Sequence, residues 1–205
     1  SDTQPQTERE LDYIRDEVVS ELIDTDAAFG MTMGDILFDD LSMFPRYNAL
    51  IGRIGIPWYN VPGNHELNYA AEDDAGSLET FKRYFGPPYY AFEYGRALFV
   101  VLDNIYYRGN GAAGEDDVRG QGGYVHRLTD AQLDWLEAEL SHVEEDRLVF
   151  VAMHAPLGSE TRPDAITENR ERLFELLEGR PNLYSVAGHT HTTNHLYFGE
   201  EEGFD

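Results

Sequence analysis

Between residues 7 and 23 the apolar positions Leu11, Ile14, Val18, Val19 and Leu22 recur every three or four residues, which predicts a helix with one buried face. Glu8 and Glu10 at its start suit the positive end of the helix dipole. Residues 27–33 form a short apolar run ending at Gly34 and Asp35, the pattern of a buried strand with a carboxylate at its C-terminal end. Residues 41–54 read as a second helix, interrupted early by Pro45, and residues 56–61 as the next strand. Gly63, Asn64, His65 and Glu66 follow it as a glycine turn that delivers polar side chains to the end of a strand.

Residues 70–76 are small and acidic and read as a solvated loop, and residues 78–85 as a short helix stopped by Gly86, Pro87 and Pro88. Residues 89–94 and 97–102 flank Gly95-Arg96 and predict a hairpin with a two-residue turn, leading to Asp103 and Asn104. The glycine-rich stretch 108–123 has no periodicity, and its length fits a functional or mobile loop better than a plain connector. Its glycine spacing is not that of a phosphate cradle. Thr129 is an N-cap hydroxyl followed three residues on by Gln132, then by Leu133, Leu136, Leu140 and Val143 at helical spacing. Strand 147–153 runs to His154, helix 170–177 is stopped by Gly179 and Pro181, and strand 182–187 runs to Gly188, His189, Thr190 and His191. Strands alternating with helices predict an α/β fold, in which ligands gather at the C-terminal rim of the sheet.

A length of 205 residues fits one domain, 1–205, able to bury a core without staples. Hydrophobic residues at 41% keep it in the globular class despite a formal net charge of −24. With no cysteine, disulfides, thiolate metal sites and cysteine nucleophiles are excluded, so a metal would have to use oxygen and nitrogen ligands. No apolar run approaches the roughly 18 residues of a membrane span, and the N-terminus has no signal-like core. Lys82 is the sole lysine, a bias that fits a GC-rich or salt-adapted source. The negative field repels polyanions, so nucleic acid is not expected as a partner. Residues 1–5 are polar and would sit naturally just after a strand; none precedes them, and the chain reads as a fragment of a longer protein lacking its first strand.

The metal-capable residues fall where the rim is expected. Asp35, Asn64, His154 and His189 each come shortly after a predicted strand, His191 follows two residues on, and Asp2 with Gln4 would join them after a missing strand. Carboxylates, imidazoles and amides without thiolate suit Mn²⁺, Fe, Zn²⁺ or Mg²⁺. A shared carboxylate would let two such ions sit about 3.5–4 Å apart, a spacing suited to hydrolysis at phosphorus. Taken singly, His154 reads more readily as a hydrogen-bonded core histidine, and His189 with His191 could be a surface pair; all of them following strands in order argues against chance.

In order along the chain, Gly34-Asp35, Gly63 to Glu66, His154 and Gly188 to His191 resemble four of the five motif blocks of the calcineurin-like metallophosphoesterases. The first block of that family is Asp-x-His, whereas Asp2, Thr3 and Gln4 give Asp-x-Gln, as in some branches. The resemblance implies two β-sheets packed face to face and flanked by helices. It implies two divalent ions, one held by Asp2, Gln4, Asp35 and His191, the other by Asp35, Asn64, His154 and His189, with Asp35 as the bridge. It further implies that a hydroxide between the ions attacks a small phosphate mono- or diester in line. Asn64 and His65 would face the substrate, with His65 hydrogen-bonding a phosphate oxygen or protonating the departing oxygen, and Glu66 orienting His65. Because an amide carbonyl is a weaker ligand than imidazole, Gln4 motivates the alternative of a metal-binding or regulatory domain with weakened turnover. Exported multidomain relatives lean the location away from the cytoplasm.

Other polar and aromatic residues carry blander expectations. Asp39 and Asp40, just beyond Asp35, read as solvated loop acids in preference to a role supporting the metal ligands, and His126, His142 and His195 as surface or structural residues. Asn104, Tyr106, Tyr107 and Tyr124 flank the long loop, where they would either line a pocket or pack.

Overall fold

A computed structural model describes residues 1–109 and 123–197 of the chain; most of the loop expected at 108–123 lies outside the described residues. The first helix opens at Thr7, whose side chain accepts the Glu10 N–H, and runs as α1 (Glu8–Tyr13), a π-helical turn (Ile14–Val19) and α2 (Ser20–Leu22). The wider turn puts Val19 rather than Val18 beneath Ile14: Leu11, Ile14 and Val19 are buried, while Val18 is exposed. β1 (Gly30–Met33) follows. The second helix is split into a 3₁₀ turn (Leu41–Met43), α3 (Phe44–Ile51) and a 3₁₀ turn (Gly52–Ile54). Pro45 starts α3 rather than interrupting it, because a proline in the first helical turn forfeits no hydrogen bond.

β2 (Trp58–Val61) pairs in parallel with β1, Gly30 opposite Trp58 and Met33 opposite Val61. The expected loop at 70–76 contains instead the start of a short helix, α4 (Asp74–Ser77), which Asp73 caps by accepting the Gly76 N–H; α5 (Glu79–Phe85) follows. The hairpin forms as β3 (Tyr90–Tyr94) and β4 (Ala97–Val101). A second hairpin was not foreseen: β5 (Ile105–Tyr107) pairs antiparallel with β6 (Tyr124–His126), strands too short to show an alternation. Thr129 caps α6 (Asp130–Leu140), β7 (Leu148–Ala152) runs parallel to β4, α7 (Arg170–Leu177) follows, and β8 (Leu183–Val186) runs parallel to β7.

Two sheets face each other. Met31, Met33 and Val61 of the β1–β2 pair meet Tyr90, Val101 and Ala152 of the β3-β4-β7-β8 sheet. Beside them Tyr59 stacks on Phe92 at 3.8 Å, and Phe29 meets Tyr59, Phe92, Tyr94 and Phe99 edge-on. Strands with both faces covered need apolar side chains in both directions, which is why β4 and β7 read as continuous runs. Leu98, Val100, Val149 and Val151 point the other way, onto Leu133, Leu136 and Leu140 of α6 and Leu173, Phe174 and Leu177 of α7. Helices α1 and α3 pack with Trp58 in a separate core beside the two-stranded sheet. The result is a mixed α/β fold of layered sheets with flanking helices. No helix among the described residues is long and apolar enough to cross a membrane.

Gln132, whose N–H and side-chain nitrogen both reach Thr129 Oγ1, also bridges to the strand end: its side chain accepts the Asp103 N–H at 2.9 Å and donates to the Asp103 carbonyl at 2.8 Å. Burial pushes the Asp103 carboxyl up to about 8, against one hydrogen bond from the Ile105 N–H. A carboxyl kept protonated in the fold but ionised in the unfolded chain stabilises fully below its unfolded value of 3.8 and loses that contribution as pH rises towards 8. Asp103→Asn keeps an acceptor for Ile105 and removes this dependence. Urea denaturation should find the variant about 1–3 kcal/mol more stable than the native chain at pH 8, and nearly unchanged at pH 4.

Candidate metal centre

The C-terminal ends of β1, β2, β7 and β8 lead to Asp35, Asn64, His154 and His189, respectively, and these four side chains meet at one rim. His154 is fully buried, and its Nδ1–H donates to the Met33 carbonyl at 2.7 Å, across the interface between the sheets. That bond fixes Nδ1 as the donor and turns Nε2 inwards, the nitrogen that could face a cation once deprotonated. Nε2 lies 3.2 Å from Asp35 Oδ1, 3.1 Å from Asn64 Oδ1 and 3.1 Å from His189 Nδ1.

Among the described residues two groups of metal-capable atoms result, Asp35 with His154 and His189, and Asp2 with Asp35 and His191, the atoms of each lying within 4.8 Å of one another. Asp35 is common to both. Asp2 accepts the His189 N–H at 2.9 Å through Oδ1, and His191 Nε2 lies 3.6 Å from the same oxygen, with a side chain 57% exposed. Gln4 reaches the centre as well, but turns its amide nitrogen to Asp35 Oδ2 at 2.7 Å. The donor set fits cations. Two ring nitrogens and two oxygens crowd together with few protons to share among them, an arrangement that a positive ion satisfies better than hydrogen bonding does.

Burial and proximity set the charges around Asp35. Burial alone would raise the Asp35 carboxyl, but the neighbouring His154 holds it well below the usual carboxylate range. Burial would likewise lower His154, and Asp35 lifts it to about 9. His189 falls to about 3 through burial and the proximity of His154 and His126.

Backbone geometry at the rim is unusual. Asp2, Gln4, Asp35, Asp39, His189 and His191 all have φ between 40° and 68°, and Asp24 is the one other non-glycine residue with positive φ among those described. Such strain persists only where surrounding contacts over-determine it. At Asp35 Glu66 provides those contacts. Fully buried, it accepts the N–H groups of Asp35 at 2.8 Å, Gly63 at 2.9 Å, Ile36 at 2.9 Å and Leu37 at 3.2 Å. Burial and the nearby Asp35 push its carboxyl up to about 7, while the backbone donors pull the other way. Gly63 has no substitute here, since a Cβ would strike the Asp35 carboxylate and backbone nitrogen.

Glu66 therefore clamps backbone rather than orienting His65. The orienting acid is Asp39, read from the sequence as a solvated loop residue: its Oδ1 lies 2.6 Å from His65 Nδ1. Phe38 stacks on the His65 ring at 4.3 Å, and the His65 N–H donates to Asp35 Oδ1 at 3.1 Å. His65 Nε2 stands 3.9 Å from Asp35 Oδ2, at the edge of the proposed centre. Burial works against a charge on His65, but the bond to Asp39 and the surrounding carboxylates raise its pKa. Sequence spacing gave no sign of this pairing, which joins residues 26 apart.

Asn104 packs rather than lining a pocket. Completely buried, it donates to the Ala155 carbonyl at 2.7 Å and to Thr167 Oγ1 at 2.8 Å, and accepts the Ala155 N–H at 3.1 Å, bracing the chain just beyond His154. Tyr107 is buried and donates to the Tyr69 carbonyl at 2.6 Å, while the Tyr69 hydroxyl donates to the Asn64 carbonyl at 2.9 Å. Tyr106 and Tyr124 are half-buried. His142 and His195 are exposed, whereas His126 is buried beside His189. Glu66→Gln would replace a four-donor carboxylate acceptor with one carbonyl and a clashing amide, and chemical denaturation should show a loss of about 3 kcal/mol with weakened uptake of divalent cations.

Comparison with known proteins agrees with this geometry. Residues 1–193 match the family described as calcineurin-like phosphoesterase. No curated protein matches the chain. With a match over nearly its whole length, the chain belongs to the calcineurin-like phosphoesterase family, whose members are metal-dependent phosphoester hydrolases.

Proposed function

We propose that the chain is a dinuclear divalent-metal phosphoesterase acting on small phosphate mono- or diesters. The observation that carries this reading is the pair of ligand-capable groups sharing the Asp35 carboxylate. One ion would be held by Asp2, Gln4, Asp35 and His191, the other by Asp35, Asn64, His154 and His189. Gln4 would need its amide reversed to offer oxygen, a rotation that exchanges two nearly isosteric ends. When bound, two divalent cations acidify water and neutralise phosphate oxygens, the chemistry that hydrolysis at phosphorus requires.

The chain's own residues have separable tasks. Asp35 is held ionised, and His154 has its Nδ1 tied to Met33 and its Nε2 turned inwards, ready to take a cation in place of a proton. Asn64 contributes its amide oxygen on the same side and, with His65, faces the substrate. His65 has one nitrogen on Asp39 and the other directed to the rim, so it can hydrogen-bond a phosphate oxygen or deliver a proton to the departing oxygen. The negative charge of the chain makes long polyanions poor substrates.

A second reading, a metal-binding domain of the same fold with weakened turnover, draws on two observations. Gln4 offers nitrogen to Asp35, and His191, on the same side, is largely exposed. Metal analysis with a chromogenic phosphomonoester and a phosphodiester separates the two, since the first predicts turnover of at least one ester and the second bound metal without any. For the enzyme, His65→Ala should reduce kcat by about 10²–10⁴-fold with metal content unchanged. Asp39→Ala should lower kcat by a smaller factor, and full activity in the His65 variant would refute its role.

A further inference from the structure

Among the side chains around the rim, His126 belongs to neither group of metal-capable residues, yet it makes close contact with one of them. Its ring centroid lies 4.6 Å from that of His189, the planes crossing at 66° in an edge-to-face arrangement. His154 meets His189 from another side, at 4.9 Å and 70°. We infer that His126 is a positioning residue, a rigid buttress that sets the ring plane of His189 and thereby the direction of its Nδ1. The inference rests on reading this rim as a metal centre.

The need for a buttress follows from where His189 sits. It leaves β8, the most exposed strand of its sheet, where Tyr184 is 57% and Val186 42% exposed, and its own backbone has a φ of 68°. The side chains of that strand therefore do little to enclose the ring of His189. The backbone is tied by the His189 N–H to Asp2 Oδ1, a contact that leaves the imidazole free to turn about its side-chain bonds. Ring orientation must come from what the ring touches.

His126 is suited to provide that contact because it is held from several directions. It is 8% exposed and sits opposite Ile105 in the β5–β6 ladder. Its carbonyl accepts the Glu168 N–H at 2.7 Å, and the next residue, Arg127, donates its N–H to the Asn104 carbonyl at 2.9 Å. The same Asn104 braces Ala155 next to His154. The two histidines whose nitrogens converge, His154 and His189, are thus supported from one buried point: His154 through Asn104 and Ala155, His189 through His126. An edge-to-face ring contact acts by shape and quadrupole, so an aromatic ring without nitrogens should serve.

The test compares His126→Ala and His126→Phe in the full chain, with circular dichroism to confirm folding. In the metal-free protein, NMR of isotope-labelled histidines should show one sharp set of His189 ring signals for the native chain and for His126→Phe, and broadened or multiple signals for His126→Ala. Calorimetric titration with Mn²⁺ should show binding weakened about tenfold or more in His126→Ala and restored in His126→Phe, the range expected when support behind a ligand is lost. Unchanged Mn²⁺ affinity in His126→Ala overturns the inference. So does weak binding by His126→Phe, which would mean that the His126 nitrogens act directly. Should His126→Ala fail to fold, the His126→Phe titration decides alone. Should the native chain take up no Mn²⁺, the metal reading falls, and the His189 ring signals still decide whether His126 orders that ring.

Discussion

The rim is arranged around one constraint, an ionised carboxylate kept inside the protein. Asp35 is 2% exposed, and a bare carboxylate in such a place would take up a proton unless positive charge and donors surrounded it. His154 supplies the charge, and the N–H of His65 and the amide of Gln4 supply donors. The backbone at Asp35 is left-handed, a conformation maintained because Glu66 gathers the N–H groups of residues 35–37 together with that of Gly63. Two buried carboxylates thus do different work. Glu66 spends its lone pairs on the backbone, and Asp35 keeps its own directed at the space between the sheets.

The layered fold explains how residues distant in sequence reach this point. β1 with β2, and β4 with β7 and β8, are parallel sets whose C-terminal ends open on the same side. The bond from His154 to the Met33 carbonyl ties one sheet to the other at the place where the ligands emerge. Asn104 and Gln132 reinforce the joints behind it, each using a side-chain amide where a buried backbone would otherwise lack partners.

Much of this was legible in the sequence because strand ends, glycines and metal-capable side chains coincide in order. The strands leading to Asp35, Asn64, His154 and His189 were each visible as apolar runs, and the family followed from the motifs they carry. What was hidden depends on geometry that no spacing encodes. The pairing of His65 with Asp39, 26 residues earlier and in a left-handed turn, has no spacing signature. The π-helical turn that buries Val19 shifts a periodicity which otherwise reads as plain α-helix. β5 and β6 are three residues each, too short to alternate, so the burial of His126 beside His189 had no signal.

The central claim is that Asp35 is shared between two cation sites. Crystals of the chain grown with Mn²⁺ and measured on both sides of the manganese absorption edge would test it directly. The account predicts two anomalous peaks flanking the Asp35 carboxylate, about 3.5–4 Å apart, one against His154 and His189 and the other against Asp2 and His191. A single peak, or two that do not share Asp35, would contradict it.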